Sequence, residues 1–153
     1  MDKIFKISNM VDSSRIIDIQ SNDKKGALKE LLEIICEDEL ITNPKIFSKE
    51  IFKREQLMST GIGYGIAIPH ARHKTVKDFV MAIGRKREGL EYGSIDDKPV
   101  KLIFMIGASD KQDKDYIRVL SRLVLRLKNK EFVDKMLSVE KPKDIYELIK
   151  QQK

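Results

Sequence analysis

Short apolar segments alternate along this chain with longer segments of helical period, and this alternation constrains the fold more than any other feature. Strands are predicted at 15–19, 66–68, 79–84 and 100–107, because each is short and rich in β-branched or other apolar residues. Residues 88–99 read as turns with room for one short strand. The order indicates an α/β or α+β layer fold with a sheet of about five strands flanked by helices.

Apolar residues recur at helical spacing in two of the remaining segments, which predicts helices at about 24–37 and 113–128. A start signal predicts a further helix at 43–57, and two short helices are predicted near 130–138 and 143–151, the last opened by Pro142. Asn43 can cap the helix at 43–57, and Pro44 suits its first turn. In the helix at 113–128, Arg118, Arg122 and Arg126 form a face of their own, which is either a solvated surface or a docking surface for an acidic partner.

Composition and charge exclude several classes of protein. With 153 residues the chain fits one domain, 1–153, and 41% hydrophobic residues are enough for a core. The net charge of +6 is the only feature that favours nucleic-acid binding, because the basic residues are interleaved with acids and no nucleic-acid-binding motif accompanies them. No segment approaches the ~18 apolar residues of a membrane span and no signal peptide is apparent, so we expect a soluble cytoplasmic protein.

The sequence contains no strong pattern for a disulfide bond or for a metal site. The single cysteine, Cys36, cannot form an internal disulfide or a thiolate cage, and it is predicted to pack in the core. His70 and His73 stand three positions apart with neither a cysteine nor an H-E-x-x-H pattern beside them, which is a weak zinc pattern. No metal site is therefore predicted.

The stretch GIGYGIAIPHARH, residues 61–73, contains both histidines of the chain. Its glycines Gly61, Gly63 and Gly65 permit positive φ angles and close approach to a ligand, and successive backbone N–H groups in such a loop can form an anion-binding nest. The spacing matches neither a dinucleotide-binding fingerprint nor a P-loop. Pro69 stiffens the backbone before His70, which is predicted to stand at the end of a short strand near a phosphate cradle.

A histidine in this position suits phosphoryl transfer. Its imidazole is mostly uncharged at neutral pH, and a neutral ring nitrogen can accept a phosphoryl group and release it again. Arg54, late in the preceding helix, is a candidate to stabilise the phosphoryl oxygens, because a guanidinium matches phosphate geometry. From spacing alone, a glycine-rich turn with an ordinary surface histidine stays open as an alternative.

Four segments resemble one known family: RE at 54–55, STGIGYGIAIPHARH at 59–73, IGR at 83–85 and PVKLIFMIGA at 99–108. They are similar to the enzyme IIA domain, of the fructose/mannitol-like type, of the bacterial phosphoenolpyruvate-dependent phosphotransferase system. The resemblance covers about residues 15 to 150. It implies a single-domain α/β fold in which a mixed sheet is flanked by helices.

The resemblance also implies the chemistry and the partners. His70 would be phosphorylated at Nε2 by the carrier HPr or a nitrogen-branch relative of it, and would pass the group to a cysteine of a separate enzyme IIB. Arg54 would stabilise the phosphate, and the rim would include Thr60 with the glycines Gly61, Gly63 and Gly65. No metal or organic cofactor is required. A regulatory protein of the nitrogen branch, in which phosphorylation of His70 controls partner binding, is the alternative.

The chain departs from the family pattern at two tyrosines. Tyr116 stands where many members carry a second active-site histidine; it can donate one hydrogen bond to a phosphate or simply belong to the apolar stripe of its helix. Tyr64 stands where the family often has asparagine and is expected to alter the docking surface. His73 is predicted to be a rim residue rather than a second nucleophile.

Overall fold

The computed structural model describes residues 6–151. Within that range the strands are β1 (Ile16–Asp18), β2 (Gly61–Gly63), β3 (Ile66–Ala67), β4 (His70–Arg72), β5 (Val80–Leu90) and β6 (Val100–Ala108). The α-helices of the same range are α1 (Lys24–Ile35), α2 (Pro44–Leu57), α3 (Asp113–Leu127), α4 (Lys130–Ser138) and α5 (Ile145–Gln151). Short 3₁₀ turns lie at Ile7–Asn9, Ser13–Arg15 and Pro142–Asp144.

The sheet is mixed, as the resemblance implies. β5 and β6 pair antiparallel at its centre, and β1 runs parallel to β5 on the outer side. Both β3 and β4 run parallel to β6, and β2 pairs antiparallel with β3. The described residues thus form six strands, against about five in the prediction, because the short strands β2 and β4 are recognisable only by their pairing.

The structure moves the predicted boundaries by two or more residues in three places, and by at most one residue elsewhere. Residues 88–90 were expected among turns, yet β5 continues to Leu90 with an irregularity in its pairing after Arg85. The first helix ends at Ile35, two residues before its predicted end. The last helix is preceded by a 3₁₀ turn at Pro142–Asp144.

Two hydrophobic cores lie on the two faces of the sheet, because side chains alternate along each central strand. In β5, Met81 and Ile83 join the core that α3, α4 and α5 cover, whereas Val80 and Ala82 join the core that α1 and α2 cover. The same alternation holds in β6 from Leu102 onward. The near-continuous apolar runs of β5 and β6 follow from this burial on both faces.

A proline divides the strand segment that lies beside β6. Ala67 pairs with Ile103 in β3, and the pairing resumes in β4, where His70 pairs with Ile106. Pro69 lies between the two halves, and its carbonyl accepts a hydrogen bond from the backbone N–H of Ile106 at 3.0 Å. Among residues 6–151, β6 is the only strand that pairs with β4, so His70 begins an edge strand. The sequence predicts His70 just after the strand at 66–68, whereas in the structure it is the first residue of a separate strand.

Helix α2, which carries Arg54, packs closely on the sheet next to the histidine strand. Gly107 of β6 pairs with Ala71 of β4, and a Cβ added at Gly107 would lie 2.9 Å from the ring of Phe47 on α2. Because Gly107 has no side chain, α2 can pack close to the sheet at the position beside β4.

We expect Gly107→Ala to lower the free energy of unfolding by about 1–3 kcal/mol, because the added methyl group overpacks this contact. Urea unfolding measures the change. The double variant Gly107→Ala/Phe47→Leu should be more stable, by at least about 0.5 kcal/mol, than the sum of the two single losses predicts, since the smaller side chain makes room for the methyl group. Strictly additive losses would contradict the proposed contact.

Candidate functional site

A cleft opens at the sheet edge between the last turns of α2 and the first turn of α3. It has a volume of about 290 Å³. Its lining residues are Glu50, Lys53, Arg54, Leu57, His70, Ala71, Arg72 and Tyr116. The structure therefore brings together three of the predicted site residues, which are His70, Arg54 and Tyr116.

The hydrogen bond of His70 defines which ring nitrogen can react. Nδ1 lies 2.6 Å from the carbonyl oxygen of Ile68. Because a carbonyl oxygen only accepts, Nδ1 must carry the proton and donate it. In the neutral ring the lone pair then lies on Nε2.

Several influences act on the charge of the His70 ring. Burial of the ring lowers its pKa below the ordinary value, and the positive charge of Arg54 adds to this lowering. The hydrogen bond to Ile68 and the negative charge of Glu55 act in the opposite direction but do not overcome burial. The ring is therefore neutral at pH 7, the state in which Nε2 is a nucleophile.

Arg54 stands in the last turn of α2 with its guanidinium at the cleft. Its Nη1 donates a hydrogen bond of 2.8 Å to the carbonyl oxygen of Met58, just past the end of the helix. A guanidinium has five N–H donors, so this bond leaves others available to an anion. The fold thus places one cation beside the His70 ring.

A buried polar cluster behind the cleft holds the end of α2 in place. The Glu55 carboxylate accepts hydrogen bonds from the backbone N–H and the hydroxyl of Thr60, at 2.9 and 2.7 Å. Lys24 forms an ion pair with Glu55 at 2.8 Å, and the Tyr92 hydroxyl lies 3.0 Å from that of Thr60. Thr60 was expected at the phosphate rim, but it is 3% exposed, and its hydroxyl lies in this cluster.

The glycine loop is a tight β-hairpin that lies apart from the His70 cleft. Tyr64 and Gly65 have φ angles of 59° and 75°, and they connect the paired residues Gly63 and Ile66, as in a type I′ turn. The N–H of Tyr64 donates to the Asp96 carboxylate at 3.2 Å. Gly63 and Gly65 line a separate cavity of about 880 Å³.

The glycines of the predicted anion nest lie outside the His70 cleft. Gly61, Gly63 and Gly65 shape the hairpin that leads to β3 and are not among the residues lining the cleft. At Gly61, an added Cβ would lie 2.9 Å from Ser94, so this glycine permits close chain packing. Tyr64 is 74% exposed at the tip of the hairpin, in keeping with a surface role.

Tyr116 lies directly beside the histidine. The two ring centroids are 5.7 Å apart in an edge-to-face arrangement. Burial raises the pKa of Tyr116 to about 12, so its hydroxyl stays neutral and can donate a hydrogen bond. The Arg72 guanidinium lies over the Tyr116 ring, with its carbon 5.7 Å from the ring centroid. Arg72 also forms an ion pair with Asp113.

Arg72 was missed in the sequence. A strand places residues two apart on one face, so Arg72 shares the face of His70. The pattern HAR would have shown this if β4 had been predicted.

The remaining residues of interest lie outside the cleft. His73 Nδ1 accepts the backbone N–H of Thr75 at 3.1 Å, so its tautomer is opposite to that of His70. Cys36 is half-buried at the end of α1 and packs against the core under α1 and α2, as predicted; burial raises its pKa. Arg122 is exposed, whereas Arg126 is only half-exposed.

No cluster of three or more metal-binding side chains lies between residues 6 and 151. In the same part of the chain no helix is long and apolar enough to cross a bilayer.

A neutral imidazole with a free Nε2 beside a guanidinium has the groups that a histidine phosphocarrier needs, which are a nucleophile and a cation for the phosphoryl oxygens. Residues 10–152 match the model of the family described as "Phosphoenolpyruvate-dependent sugar phosphotransferase system, EIIA 2". The chain belongs to this family, and it is thus an enzyme IIA phosphotransferase component, a class that works through a phosphohistidine intermediate.

Relatives lie in both the sugar and the nitrogen branches. The chain is 32% identical over 147 residues to the fructose-specific EIIABC component of Bacillus subtilis, covering 95% of this chain but only 23% of that protein. The nitrogen regulatory protein IIA-Ntr of Neisseria meningitidis is 30% identical, with a TM-score of 0.86 over 94% of this chain and 98% of its own.

A third similarity concerns the fold alone. An Escherichia coli complex of enzyme IIAMTL with phosphorylated enzyme IIBMTL matches with a TM-score of 0.74 at 18% identity, over 97% of this chain and 99% of that one. Together these matches confirm the predicted family and the α/β fold.

We expect the His70 ring to titrate below the ordinary value of 6.5, because burial opposes its cation. Ring ¹⁵N NMR across pH 4–9 measures the midpoint and shows the Nδ1–H tautomer directly, with His70→Gln assigning the signals. A midpoint at or above 6.5 would contradict the burial argument.

The same shift links His70 to stability. Between the unfolded and folded pKa values, the unfolded chain binds a proton that the folded protein does not. This contribution therefore makes the free energy of unfolding fall as the pH drops below about 6.5, and the fall should be smaller in His70→Gln.

Proposed function

We propose that His70 accepts a phosphoryl group at Nε2 from phosphorylated HPr and passes it to a cysteine of an enzyme IIB, during uptake of a fructose- or mannitol-like sugar. The observation that carries the proposal is the 2.6 Å hydrogen bond from Nδ1 to Ile68, because it leaves Nε2 as the reactive atom. The names of the relatives support the sugar class and the enzyme IIB partner. A cytoplasmic location, as expected from the sequence, fits this role.

The first transfer needs no proton movement at His70. The Nε2 lone pair attacks phosphorus, the N–P bond of the donor histidine breaks, and its electron pair returns to the donor ring. The His70 ring is then substituted on both nitrogens and carries positive charge, which the Ile68 carbonyl stabilises through Nδ1–H.

The second transfer reverses the roles. A cysteine thiolate attacks phosphorus, an S–P bond forms, and the N–P bond breaks with its electron pair returning to Nε2. Because Nδ1 has kept its proton, the departing imidazole is neutral and is a good leaving group. The hydrogen bond from Nδ1 to Ile68 therefore assists both steps: it stabilises the phosphorylated ring in the first transfer and keeps the departing imidazole neutral in the second.

Arg54 and Tyr116 complete the site in this proposal. The Arg54 guanidinium stabilises negative charge on the phosphoryl oxygens in the transition state. The Tyr116 hydroxyl donates a hydrogen bond without adding charge, because its pKa of about 12 keeps it protonated. These residues line the cleft with His70.

A regulatory role is the second candidate. The observation that supports it is the similarity to the nitrogen regulatory protein IIA-Ntr of Neisseria meningitidis, with a TM-score of 0.86. Here the phosphorylated state of His70 would control the binding of a partner. Phosphorylated protein that never transfers its group to an enzyme IIB, but changes its affinity for another protein, would favour this role.

Wild-type protein incubated with phosphoenolpyruvate, enzyme I and HPr should gain one phosphoryl group by intact mass. The group should be labile in acid and stable in base, as expected for a phosphoramidate. His70→Ala should gain none. His73→Ala is the matched control and should behave as wild type, because its ring lies outside the cleft; phosphorylation of His70→Ala would overturn the assignment.

Arg54→Gln should slow phosphorylation of His70 by about 10²-fold, the effect of removing one charged donor from a transition state. Rapid-quench kinetics with phosphorylated HPr measures the rate. Arg54→Lys should recover part of it, since the charge remains while the forked geometry is lost. Equal rates for Arg54→Gln and wild type would remove Arg54 from the mechanism.

A further inference from the structure

A second guanidinium reaches the cleft from the strand that carries the histidine. Arg72 lies two residues beyond His70 on the same face of β4, and both side chains line the cleft. The Arg72 side chain is about one-third exposed. It is therefore placed to meet an anion that enters beside His70.

The contacts of Arg72 hold it near the Tyr116 ring. Its guanidinium lies 5.7 Å from the ring centroid, and the centroid of His70 lies 5.7 Å from the same ring. Its ion-pair partner is Asp113, the first residue of α3, whose side chain is 72% exposed. Ion pairs exposed to this degree contribute little, so this pair can open at small cost.

The charges around the Tyr116 hydroxyl show that the two arginines act on one region. The positive charges of Arg72 and Arg54 both oppose the upward shift that burial causes in the pKa of Tyr116. Both guanidinium groups therefore lie within electrostatic reach of this hydroxyl. An anion that accepts its hydrogen bond would be attracted by two cations that come from different elements, α2 and β4.

We propose that Arg72 is a second phosphate-binding cation of this site, held by Asp113 while His70 is unmodified and exchanged onto the phosphoryl group once His70 carries it. The inference rests on the proposed function. A phosphoryl group competes well for this arginine, because it carries more charge than one carboxylate and accepts a forked pair of hydrogen bonds. Asp113 is thus the resting partner and a competitor of the phosphoryl group.

Opposite effects of two variants test this exchange. Arg72→Gln should slow transfer from phosphorylated HPr about tenfold, whereas Asp113→Asn should leave the rate unchanged or raise it two- to threefold, because it frees the arginine. Arg72→Lys should recover part of the rate. Lys29→Gln, at an exposed position of α1 away from the cleft, is the matched control for loss of one positive charge and should behave as wild type.

A purely structural ion pair predicts a different pattern. Each variant would break the same contact between β4 and α3, so both would slow transfer alike and lower the unfolding midpoint alike. That result, or a wild-type rate for Arg72→Gln, would overturn the proposal. Unfolding midpoints of all variants are measured beside the rates.

A second measurement does not depend on phosphorylation of His70. In protein labelled with ¹⁵N-arginine, the Arg72 Nε–H signal, identified by its loss in Arg72→Gln, should shift as inorganic phosphate is added, and at lower phosphate in Asp113→Asn. An Arg72 signal that ignores phosphate would overturn the proposal even if His70 is phosphorylated. Conversely, a phosphate response in a protein that is never phosphorylated would sustain the Arg72 site and overturn the proposed function.

Discussion

The hydrogen bond from Nδ1 of His70 to the carbonyl oxygen of Ile68 is the interaction on which the site depends. A neutral imidazole has two tautomers, and only the one protonated at Nδ1 leaves Nε2 free to attack. A hydrogen bond of this kind contributes about 0.5–1.5 kcal/mol, which corresponds to a population ratio of up to about tenfold. The same bond orients the ring, so the reactive atom and its direction are set together.

The path of the backbone explains why that acceptor is available. β3 and β4 lie along the same side of β6, and Pro69 separates them. The backbone of Ile68 is directed to extended conformations by the proline, and its carbonyl is turned to the His70 ring rather than to a strand. The interruption at Pro69 thus converts a main-chain group of the sheet into part of the site.

Helix α2 supplies opposite charges from neighbouring residues. Arg54 reaches the open cleft, whereas Glu55 is buried in the cluster with Thr60 and Lys24. Their effects on the pKa of His70 oppose each other, and burial of the ring determines the net direction. Because Glu55 ties the end of α2 to the chain entering β2, it also fixes where Arg54 stands.

Sequence periodicity predicted the parts of this fold that are long enough to display it. The apolar runs of β5 and β6, the start signal of α2 and the apolar stripe of α3 each predicted an element. The structure has β6, α2 and α3 within one residue of the predicted bounds, whereas β5 continues past its predicted end to Leu90. β2 and β4 have three residues each, too few to show a period. Without β2 in view, the glycine spacing favours an anion nest over a hairpin.

Prediction of the site residues was limited in the same way, because it depended on recognising the short strands. His70 and Arg54 could be identified from residue chemistry and from the family resemblance, without knowledge of the strands around them. Arg72 could not, because its position beside His70 depends on the alternation within β4. Thr60 was misplaced for a related reason: its hydroxyl is engaged by Glu55 and Tyr92, and Tyr92 lies 32 residues away in sequence.

The edge position of β4 reconciles two opposing requirements of a phosphocarrier. Burial keeps the His70 ring neutral over a wider pH range, yet Nε2 must be reached by the reacting atoms of other proteins. A central strand would bury both faces of the ring, and a flexible loop would leave it solvated, with a pKa near the ordinary value. An edge strand beside a cleft of about 290 Å³ meets both requirements, because the His70 ring packs against Tyr116 and still lines the cleft. Leu57, which is 78% exposed at the same cleft, gives the cleft an apolar border suited to brief protein contact.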